Sequence, residues 1–326
     1  MFQRIIKALA LGFGLAIAVV AGAYTWFFVV LPRDIPPPDL AVELTPERID
    51  RGAYLANAVY GCVYCHSERD WTLFGGPPQP GRIGVGGELF DESVGLSGMI
   101  VSPNITPAAI GDWTDGEVYR AIVNGLHKDG YAFFPIMPFD VYLYLPEEDI
   151  YSIIAYIRTL EPIESTTPER RPSMMMQFIG NVRALPYDPW EIDESDPVQR
   201  GERMAVIAGC RFCHTPADAR AQPLPGMRNA GGLGMVANGT KIYSANITPD
   251  PETGIGTWSE QDFIERFKAF EDARFPVESI GYQSQHAWTE YAQMSEADLA
   301  DIYAYLMAQE PVRQLVDPIY GPQSAN

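Results

Sequence analysis

The chain has 326 residues, enough for two domains of ordinary size, and its 47% hydrophobic content excludes an intrinsically disordered protein. Its 42 acidic against 23 basic residues give a formal net charge of −19, which repels nucleic acid, so no nucleic-acid partner is expected. Its four cysteines all fall in two copies of one motif, which excludes disulfide bonds as the means of holding the fold together.

The N-terminal stretch is apolar and uncharged over residues 8–31, with Arg4 and Lys7 before it. A helix of this length crosses the hydrocarbon core of a bilayer, which needs about 20 residues. We therefore predict a single-pass transmembrane anchor over residues 1–33 that contacts the membrane through residues 8–31. Its positive end stays in the cytoplasm, so the rest of the chain lies on the outer side. A signal peptide cleaved after Ala21-Gly22-Ala23 is the alternative.

The first motif follows a predicted helix that begins at Thr45 and Pro46, where threonine is the N-cap and proline occupies the first turn. This helix leads into Cys62-Val63-Tyr64-Cys65-His66. C-x-x-C-H is the attachment site of c-type haem: the two thiols add across the vinyl groups, and the histidine becomes an axial ligand of the iron. A redox-active cysteine pair and half of a zinc site are the alternatives.

The remainder of the first half contains further helix signals. Trp113 precedes a capping box of Thr114 and Glu117, and an apolar stripe at helical spacing marks the last helix. The members of that stripe are Ile150, Ile153, Ile154 and Ile157. These stripes predict core packing, and the whole half predicts one domain over residues 34–165.

The second half repeats this order after a proline-rich linker predicted over residues 166–195. The linker contains Met174-Met175-Met176, which we interpret as packing between domains rather than ligation. The second domain, predicted over 196–326, contains Cys210-Arg211-Phe212-Cys213-His214 and a last-helix stripe of Leu299, Ile302, Tyr303 and Leu306. No stretch shows the alternation of a sheet strand, so the predicted fold class is all-α with two tandem haem domains after the anchor.

Both halves resemble class I cytochrome c domains, in which an N-terminal helix, the C-x-x-C-H motif, loops and a crossing C-terminal helix enclose one haem. In that family a glycine of the first helix packs on an aromatic residue of the last, as Gly52 with Tyr156 and Gly201 with Tyr305 would. The segments 246–250 and 253–259 resemble the cytochrome c subunit of membrane-bound alcohol and gluconate dehydrogenases. Such subunits usually carry three haems and contact the membrane near the C-terminus, whereas this chain predicts two covalently attached haem c groups and an N-terminal anchor.

The distal ligand of the first haem is predicted to be Met137, 71 residues after His66. It lies between prolines, which stiffen the backbone that would present the thioether, and it also matches the motif of the resembled family. His127, ten residues earlier, is the alternative, interpreted as a solvated loop residue.

The distal ligand of the second haem is predicted to be His286, 72 residues after His214. Counting back from the last helices places His286 opposite Met137, so this haem is predicted to have two histidine ligands. Met294 and Met235 are the alternatives. Because methionine raises a haem's potential relative to histidine, the second haem is expected to have the lower potential.

These observations predict a bacterial inner-membrane protein whose haem domains lie on the periplasmic side. It would relay single electrons between a membrane oxidoreductase and another redox protein. One rival function is that of a di-haem peroxidase-like enzyme, which needs an iron with an open or displaceable sixth position. Another is that of a fixed subunit of a respiratory or photosynthetic complex, including an oxidase subunit.

Overall fold

A computed structural model of the protein describes residues 1–31, 35–218, 222–237, 239–272 and 274–323. By their contacts these residues form two units. The first comprises Met1–Ala41, Trp113–Tyr144 and Pro172–Asp188, and the second comprises Val42–Asp112, Leu145–Arg171 and Pro189–Asn326. The predicted boundary at residues 33 and 34 and the last three residues lie outside the described part of the chain.

The regular elements are mostly short helices joined by long loops. The α-helices are α1 Phe2–Thr25, α2 Pro46–Tyr54, α3 Cys62–Cys65, α4 Pro107–Ile110, α5 Asp115–Asn124, α6 Phe139–Tyr142, α7 Glu147–Thr159, α8 Met174–Arg183, α9 Pro197–Ile207, α10 Cys210–His214, α11 Glu260–Lys268, α12 Val277–Ile280, α13 Trp288–Tyr291 and α14 Glu296–Met307. The strands are β1 Leu89–Phe90, β2 Gly98–Val101, β3 Arg171–Pro172, β4 Gly234–Ala237, β5 Thr240–Tyr243, β6 Val316–Asp317 and β7 Gly321–Pro322.

The N-terminal helix α1 continues through a π-helical turn at Trp26–Val30. Together they form a stretch of 29 residues that is long and apolar enough to span a membrane, and its most apolar window has no buried residue. This is consistent with the predicted transmembrane anchor. A signal sequence meets the same criteria of length and composition, so the alternative of cleavage stays open.

The predicted helix starts are confirmed. Thr45 accepts a hydrogen bond from the backbone N–H of Arg48 with Pro46 in the first turn of α2, and Asp196 caps α9 in the same way. The capping box of Thr114 and Glu117 begins α5. Ser259 and Asp262 form the equivalent box at α11. Each box satisfies backbone N–H groups that a helix leaves without partners at its N-terminus.

The apolar stripes of the last helices form the cores of their packing surfaces, as predicted. In α7 Ile150, Ile153 and Ile154 are at most 1% exposed. In α14 Leu299, Ile302 and Leu306 are buried, whereas Tyr303 is half-buried and Tyr305 takes the buried position beside it. The buried face of α14 is therefore rotated slightly from the predicted one, since it includes Tyr305 instead of Tyr303.

Helix α2 approaches α7 most closely at Gly52. A Cβ atom there would overlap the carbonyl group of Ser152 and lie 2.8 Å from Cβ of Tyr156. Gly201 of α9 approaches α14 in the same way, although its nearest neighbours are Asp301 and Ile302 rather than the expected Tyr305. Glycine is needed at both crossings because the backbone of the opposite helix occupies the space that a Cβ atom would take.

Two expectations from the sequence need correction. The all-α class is right for the helices, but short strands are present: β1 pairs antiparallel with β2, β4 with β5, and β6 with β7. Strands of two to four residues are too short to show alternation in the sequence. The tandem domains and their boundaries stay a prediction.

The predicted linker contains a helix, α8, whose methionines do not all pack. Met176 is 3% exposed, but Met174 and Met175 are 66% and 62% exposed. The interpretation of this run as packing between domains is therefore wrong for its first two members. A short methionine run predicts an apolar stretch but not which of its members faces inward.

Replacing Gly52 with Ala should lower the free energy of unfolding by about 2–3 kcal/mol, because overlap with α7 outweighs the better helix propensity of alanine. Denaturation of the haem-loaded chain followed by circular dichroism measures this change. Ala53→Ser, which adds one atom at the neighbouring half-buried position, is the control and should change little. Equal or greater stability of Gly52→Ala would contradict the close crossing.

Candidate haem-binding site

The histidine of the second motif is held by a hydrogen bond to the backbone. It ends α10, and its Nδ1 lies 2.7 Å from the carbonyl oxygen of Ala245. A carbonyl only accepts, so Nδ1 of His214 carries the proton and donates it. The other ring nitrogen, Nε2, is then unprotonated and available as a metal ligand.

The carbonyl of Ala245 is itself held in place by its neighbours. Asn246 accepts hydrogen bonds from the backbone N–H and the hydroxyl of Thr248 at 2.9 and 2.7 Å. Its Nδ2 donates to the carbonyl of Val312 at 2.8 Å. Gly231, with φ of 76°, passes so close to Ala245 that a Cβ would overlap it, and its N–H donates to the carbonyl of His214. The acceptor of His214 is therefore fixed from both sides.

His286 faces His214 within the same contact unit. The two imidazole centres are 6.3 Å apart, and their planes are inclined at 78°. The backbone N–H of His286 donates to the Ser284 hydroxyl at 3.0 Å, and its ring contacts that of Trp288 at 4.0 Å between centres. Nδ1 of His286 is buried and has no hydrogen-bond partner among the described residues.

A cavity of about 490 Å³ lies around these two histidines. Its wall includes Cys210 and Cys213 on one side and an otherwise mainly apolar lining. The principal apolar residues are Met235, Ile242, Ile255, Phe263, Phe267, Trp288, Met294, Leu299, Ile302 and Leu306. Volume and lining are those of a site for a flat, mostly apolar cofactor. The two methionines considered as alternative ligands, Met235 and Met294, also line this cavity.

The residues fit a haem c group bound through both histidines. A metal held between two imidazoles at about 2 Å from each nitrogen places the ring centres roughly 6 Å apart, close to the separation observed. The two imidazoles therefore face each other at a separation that one metal ion would bridge. Together with Cys210 and Cys213 in the wall, the donor set is that of covalent haem attachment.

Both histidines are neutral at ordinary pH. Burial lowers the pKa of His214 and, together with the nearby His214 and Arg266, lowers the pKa of His286 to about 3. A neutral imidazole is the form that ligates a metal. The site therefore offers two ligands without a proton having to be displaced first.

The first motif repeats the arrangement of the proximal histidine. Nδ1 of His66 lies 2.8 Å from the carbonyl oxygen of Pro103, and Asn104 accepts from the backbone and hydroxyl of Thr106 at 2.8 Å each. Gly86, with φ of 72°, donates its N–H to the carbonyl of His66. In the sequence, residues 104–107 and 246–249 both read Asn-Ile-Thr-Pro. That the preceding carbonyl is the histidine's acceptor could not be inferred from them.

The predicted distal ligand of the first haem, Met137, belongs to the first contact unit, whereas His66 belongs to the second. Their pairing stays a prediction. Met137 is half-buried in the turn that leads into α6, and the N–H of Phe139 donates to its carbonyl at 2.8 Å. The alternative, His127, stacks on Tyr131 with 4.3 Å between ring centres, and its Nδ1 accepts a hydrogen bond from the backbone N–H of Asp129 at 3.2 Å. His127 thus has local partners that would have to be given up for ligation.

The cysteines are poor thiolates in this environment. Burial raises the pKa of Cys62 and Cys210 to about 12 and that of Cys213 to about 11. A redox pair or a zinc site needs thiolates, which electropositive surroundings would favour. Within the described ranges, no three histidine, cysteine, aspartate or glutamate side chains are grouped as a metal site would require.

Tyr64, between the two cysteines of the first motif, reaches the segment that carries His286. Its hydroxyl is 2.8 Å from the carbonyl oxygen of Gly75 and 3.1 Å from that of Gln285. The phenol hydroxyl donates to these acceptors. In addition, Gly75 donates its N–H to Oε1 of Gln283 at 2.9 Å.

Arg69 completes this cluster. Its guanidinium carbon lies 3.7 Å from the centre of the Tyr64 ring and 3.9 Å from that of Trp71, and it donates to the carbonyl oxygens of Gly75 and Gly76. The residue is 8% exposed, and its guanidinium group forms an ion pair with the Glu88 carboxylate at 3.5 Å. Sequence analysis missed Tyr64, Arg69 and Gln283, and no local pattern indicated that residues more than 200 positions apart would meet.

Comparison with known proteins supports the chemistry of this site. No protein-family model matches the chain. It is 29% identical over 273 residues to the fructose dehydrogenase cytochrome subunit of Gluconobacter japonicus, which covers 79% of this chain and 52% of that protein. It is 28% identical over 285 residues to the cytochrome c subunit of the quinone alcohol dehydrogenase of Gluconobacter oxydans, covering 81% and 55% respectively.

A further relative matches along almost its whole length. The "Diheme cytochrome c-type" protein of Cereibacter sphaeroides is 26% identical over 304 residues, covering 90% of this chain and 95% of that protein. The chain spans about half the length of the dehydrogenase cytochrome subunits it matches. The predicted resemblance to di-haem c-type cytochromes and to dehydrogenase cytochrome c subunits is confirmed. These relatives are named as cytochrome subunits of dehydrogenases or as a di-haem cytochrome.

Replacing His286 with Met should raise one haem midpoint potential and leave the other nearly unchanged, because a thioether stabilises ferrous haem relative to imidazole. In the unmodified oxidised protein, electron paramagnetic resonance should show one strongly anisotropic low-spin signal, as nearly perpendicular imidazole planes produce. His127→Gln is the matched control and should alter neither haem. Two His/Met signals in the unmodified protein would contradict the ligand set.

Replacing Met137 with Ala should abolish the sulfur-to-iron charge-transfer band of the oxidised protein, because the predicted thioether ligand is removed. The absorption spectrum in the far red measures this loss. Met294→Ala tests the competing methionine and should leave the band intact. A band that survives Met137→Ala and disappears in Met294→Ala would assign the thioether to the other residue.

Proposed function

Because the chain resembles di-haem cytochromes c, we propose that it is a membrane-anchored electron-transfer protein with two covalently attached haem c groups. It would relay single electrons on the periplasmic side of a bacterial inner membrane, between a membrane oxidoreductase and another redox protein. The observation that carries this proposal is the cavity in which His214 and His286 face each other beside Cys210 and Cys213.

The residues of the cavity have separable roles in this function. His214, whose imidazole is oriented by the carbonyl of Ala245, and His286, whose backbone N–H donates to Ser284, would both ligate the haem iron. The apolar lining excludes water, which lowers the local dielectric and so contributes to the potential. A haem bound here would supply one-electron redox chemistry, and two histidine ligands that stay in place would keep the rearrangement at each transfer small.

The haem of the first motif is proposed because the hydrogen-bonded surroundings of the proximal histidine are repeated there. Cys62 and Cys65 would form the thioethers, with His66 and Met137 as axial ligands. The hydrogen bond from His66 to Pro103 matches that from His214 to Ala245 within 0.1 Å. This repetition supports two haem groups rather than one.

Contacts between the two haem-binding segments support transfer within the chain. Tyr64 follows Cys62 by two residues and donates to the carbonyl of Gln285, the residue before His286. Gly75 lies so near the carbonyl of His286 that an added Cβ would be 3.0 Å from it. The segment that follows Cys62 is thus in direct contact with the segment that carries His286.

Two rivals differ from this proposal in testable ways. A di-haem peroxidase needs an iron with an open or displaceable sixth position, which two histidines across one cavity do not provide. A fixed subunit of a respiratory or photosynthetic complex would share the electron-transfer chemistry but stay bound to its partner. The relatives named as dehydrogenase cytochrome subunits favour a membrane oxidoreductase as that partner.

Potentiometric titration of the full chain in mild detergent should show two one-electron steps, one for each haem. The Cys210→Ser/Cys213→Ser variant should retain a single step, and its mass should be lower by one haem. Added peroxide should be reduced no faster than by a simple bis-ligated haem protein.

Peroxide-dependent turnover together with a five-coordinate high-spin signal would instead establish the peroxidase function. Mass spectrometry of the complex isolated in mild detergent decides the partner question. A stoichiometric oxidoreductase that remains bound identifies a fixed subunit, and its absence identifies a tethered shuttle.

A further inference from the structure

Helix α8, in the segment predicted as a linker, exposes a row of apolar side chains. Met174 and Met175 are 66% and 62% exposed, and Val182 is 39% exposed. Together with Phe178, these positions recur at the spacing of one helix face, and Leu185, just beyond the helix, is 45% exposed. Exposed methionines in adjacent positions are unusual on a surface that faces only water.

This exposure does not come from a loosely attached helix. Met176 is buried, and Gly180 lies so close to Phe133 that a Cβ would overlap its carbonyl. Arg183 forms an ion pair with Asp140 at 3.0 Å. Just beyond the helix, Nδ2 of Asn124 donates to the carbonyl of Leu185 at 2.6 Å. The inner face is therefore fixed while the outer face stays open.

The same helix contacts the end of the membrane-spanning stretch. The ring of Phe178 lies 5.1 Å from that of Phe27 and 6.4 Å from that of Phe28. Nδ2 of Asn181 donates to the carbonyl of Phe27 at 2.7 Å. The last carbonyls of a helix lack intrahelical partners, and near lipid an unsatisfied carbonyl is costly. Asn181 therefore supplies a hydrogen bond at the level where the spanning helix ends.

The length of the spanning stretch sets that level. Phe2–Val30 has 29 residues, and about 20 residues cross the hydrocarbon core. The excess extends beyond the core, and Trp26, Phe27 and Phe28 form the aromatic cluster typical of the membrane–water interface. Side chains of α8 that lie beside Phe27 and Phe28 are consequently at interfacial depth.

We propose that α8 is a membrane-interface helix, whose exposed methionines insert among the phospholipids around the end of α1. This rests on the proposed anchoring by α1. The occupant is lipid rather than protein because the apolar face adjoins a helix end that is itself surrounded by lipid. Amphipathic helices of this kind bury their apolar face in the boundary between headgroups and acyl chains. The anchor then holds its contact unit against the membrane instead of acting as a flexible tether.

Photo-crosslinking to lipid tests this directly. The haem-loaded full chain is reconstituted in phosphatidylcholine vesicles that contain a phospholipid with a photoreactive group near the glycerol backbone. Trypsin releases α8 within a single peptide, residues 171–183, because cleavage after Arg171 is blocked by Pro172. Lipid adducts on Met174 or Met175 are expected, and Met174→Gln/Met175→Gln should reduce them roughly tenfold.

The peptides of α1 distinguish the two ways of failing. Adducts on α1 without any on residues 171–183 would overturn the interface helix while leaving the anchor intact. Adducts on neither would overturn the anchor as well, and with it the membrane part of the proposed function.

Single cysteines give an independent measurement on matched variants. In vesicles, Met175→Cys should react roughly tenfold more slowly with a water-soluble maleimide than Gln177→Cys, which is exposed on another face of α8. Equal rates would overturn the proposal. Protection of Met175→Cys without any lipid adduct on residues 171–183 would also overturn it, in favour of a protein partner on this face.

Discussion

The hydrogen bond from each proximal histidine to a backbone carbonyl is the constraint on which the haem-binding arrangement depends. It orients the imidazole, decides which nitrogen carries the proton, and leaves the other nitrogen for the iron. The carbonyls of Pro103 and Ala245 can serve only because the following asparagines hold their loops and a glycine passes beneath. Helix-end motif, loop and acceptor thus form one unit, and the chain uses it twice.

The two copies keep this frame and differ in what faces it. In the second copy, a neutral histidine, His286, lies across the cavity from the proximal His214. In the first copy, the predicted partner is a methionine presented between prolines. With these predicted ligands, a constant proximal side and a variable distal side would give two potentials from one architecture, which would suit a relay better than two equal sites.

The contact between the copies combines a buried apolar cluster of Phe74, Phe270 and Ala292 with a buried polar network. The guanidinium group of Arg69 is stacked between Tyr64 and Trp71 and donates to loop carbonyls. Its positive charge is therefore stabilised by several partners. Removing one member would leave buried polar groups without partners, at a cost of about 1–3 kcal/mol for each. This network sets the position of the segment around Gln283 and Gln285, and through it the position of His286.

The sequence by itself determined the features that depend on local spacing. The two C-x-x-C-H motifs, the caps at Thr45, Asp196, Thr114 and Ser259, and the stripes of α7 and α14 follow from interactions within four residues or from helical periodicity. The pairing of His286 with His214 is predicted from the sequence by counting back from the last helices, but the 6.3 Å between their rings and the contact of Tyr64 with Gln285 depended on the tertiary structure. These contacts join positions 72 and 221 residues apart. Helical periodicity and capping act over a few residues only, so they do not determine such contacts. The exposed face of α8 likewise depended on the tertiary structure. Which of its methionines are buried is decided by the residues that pack against the helix.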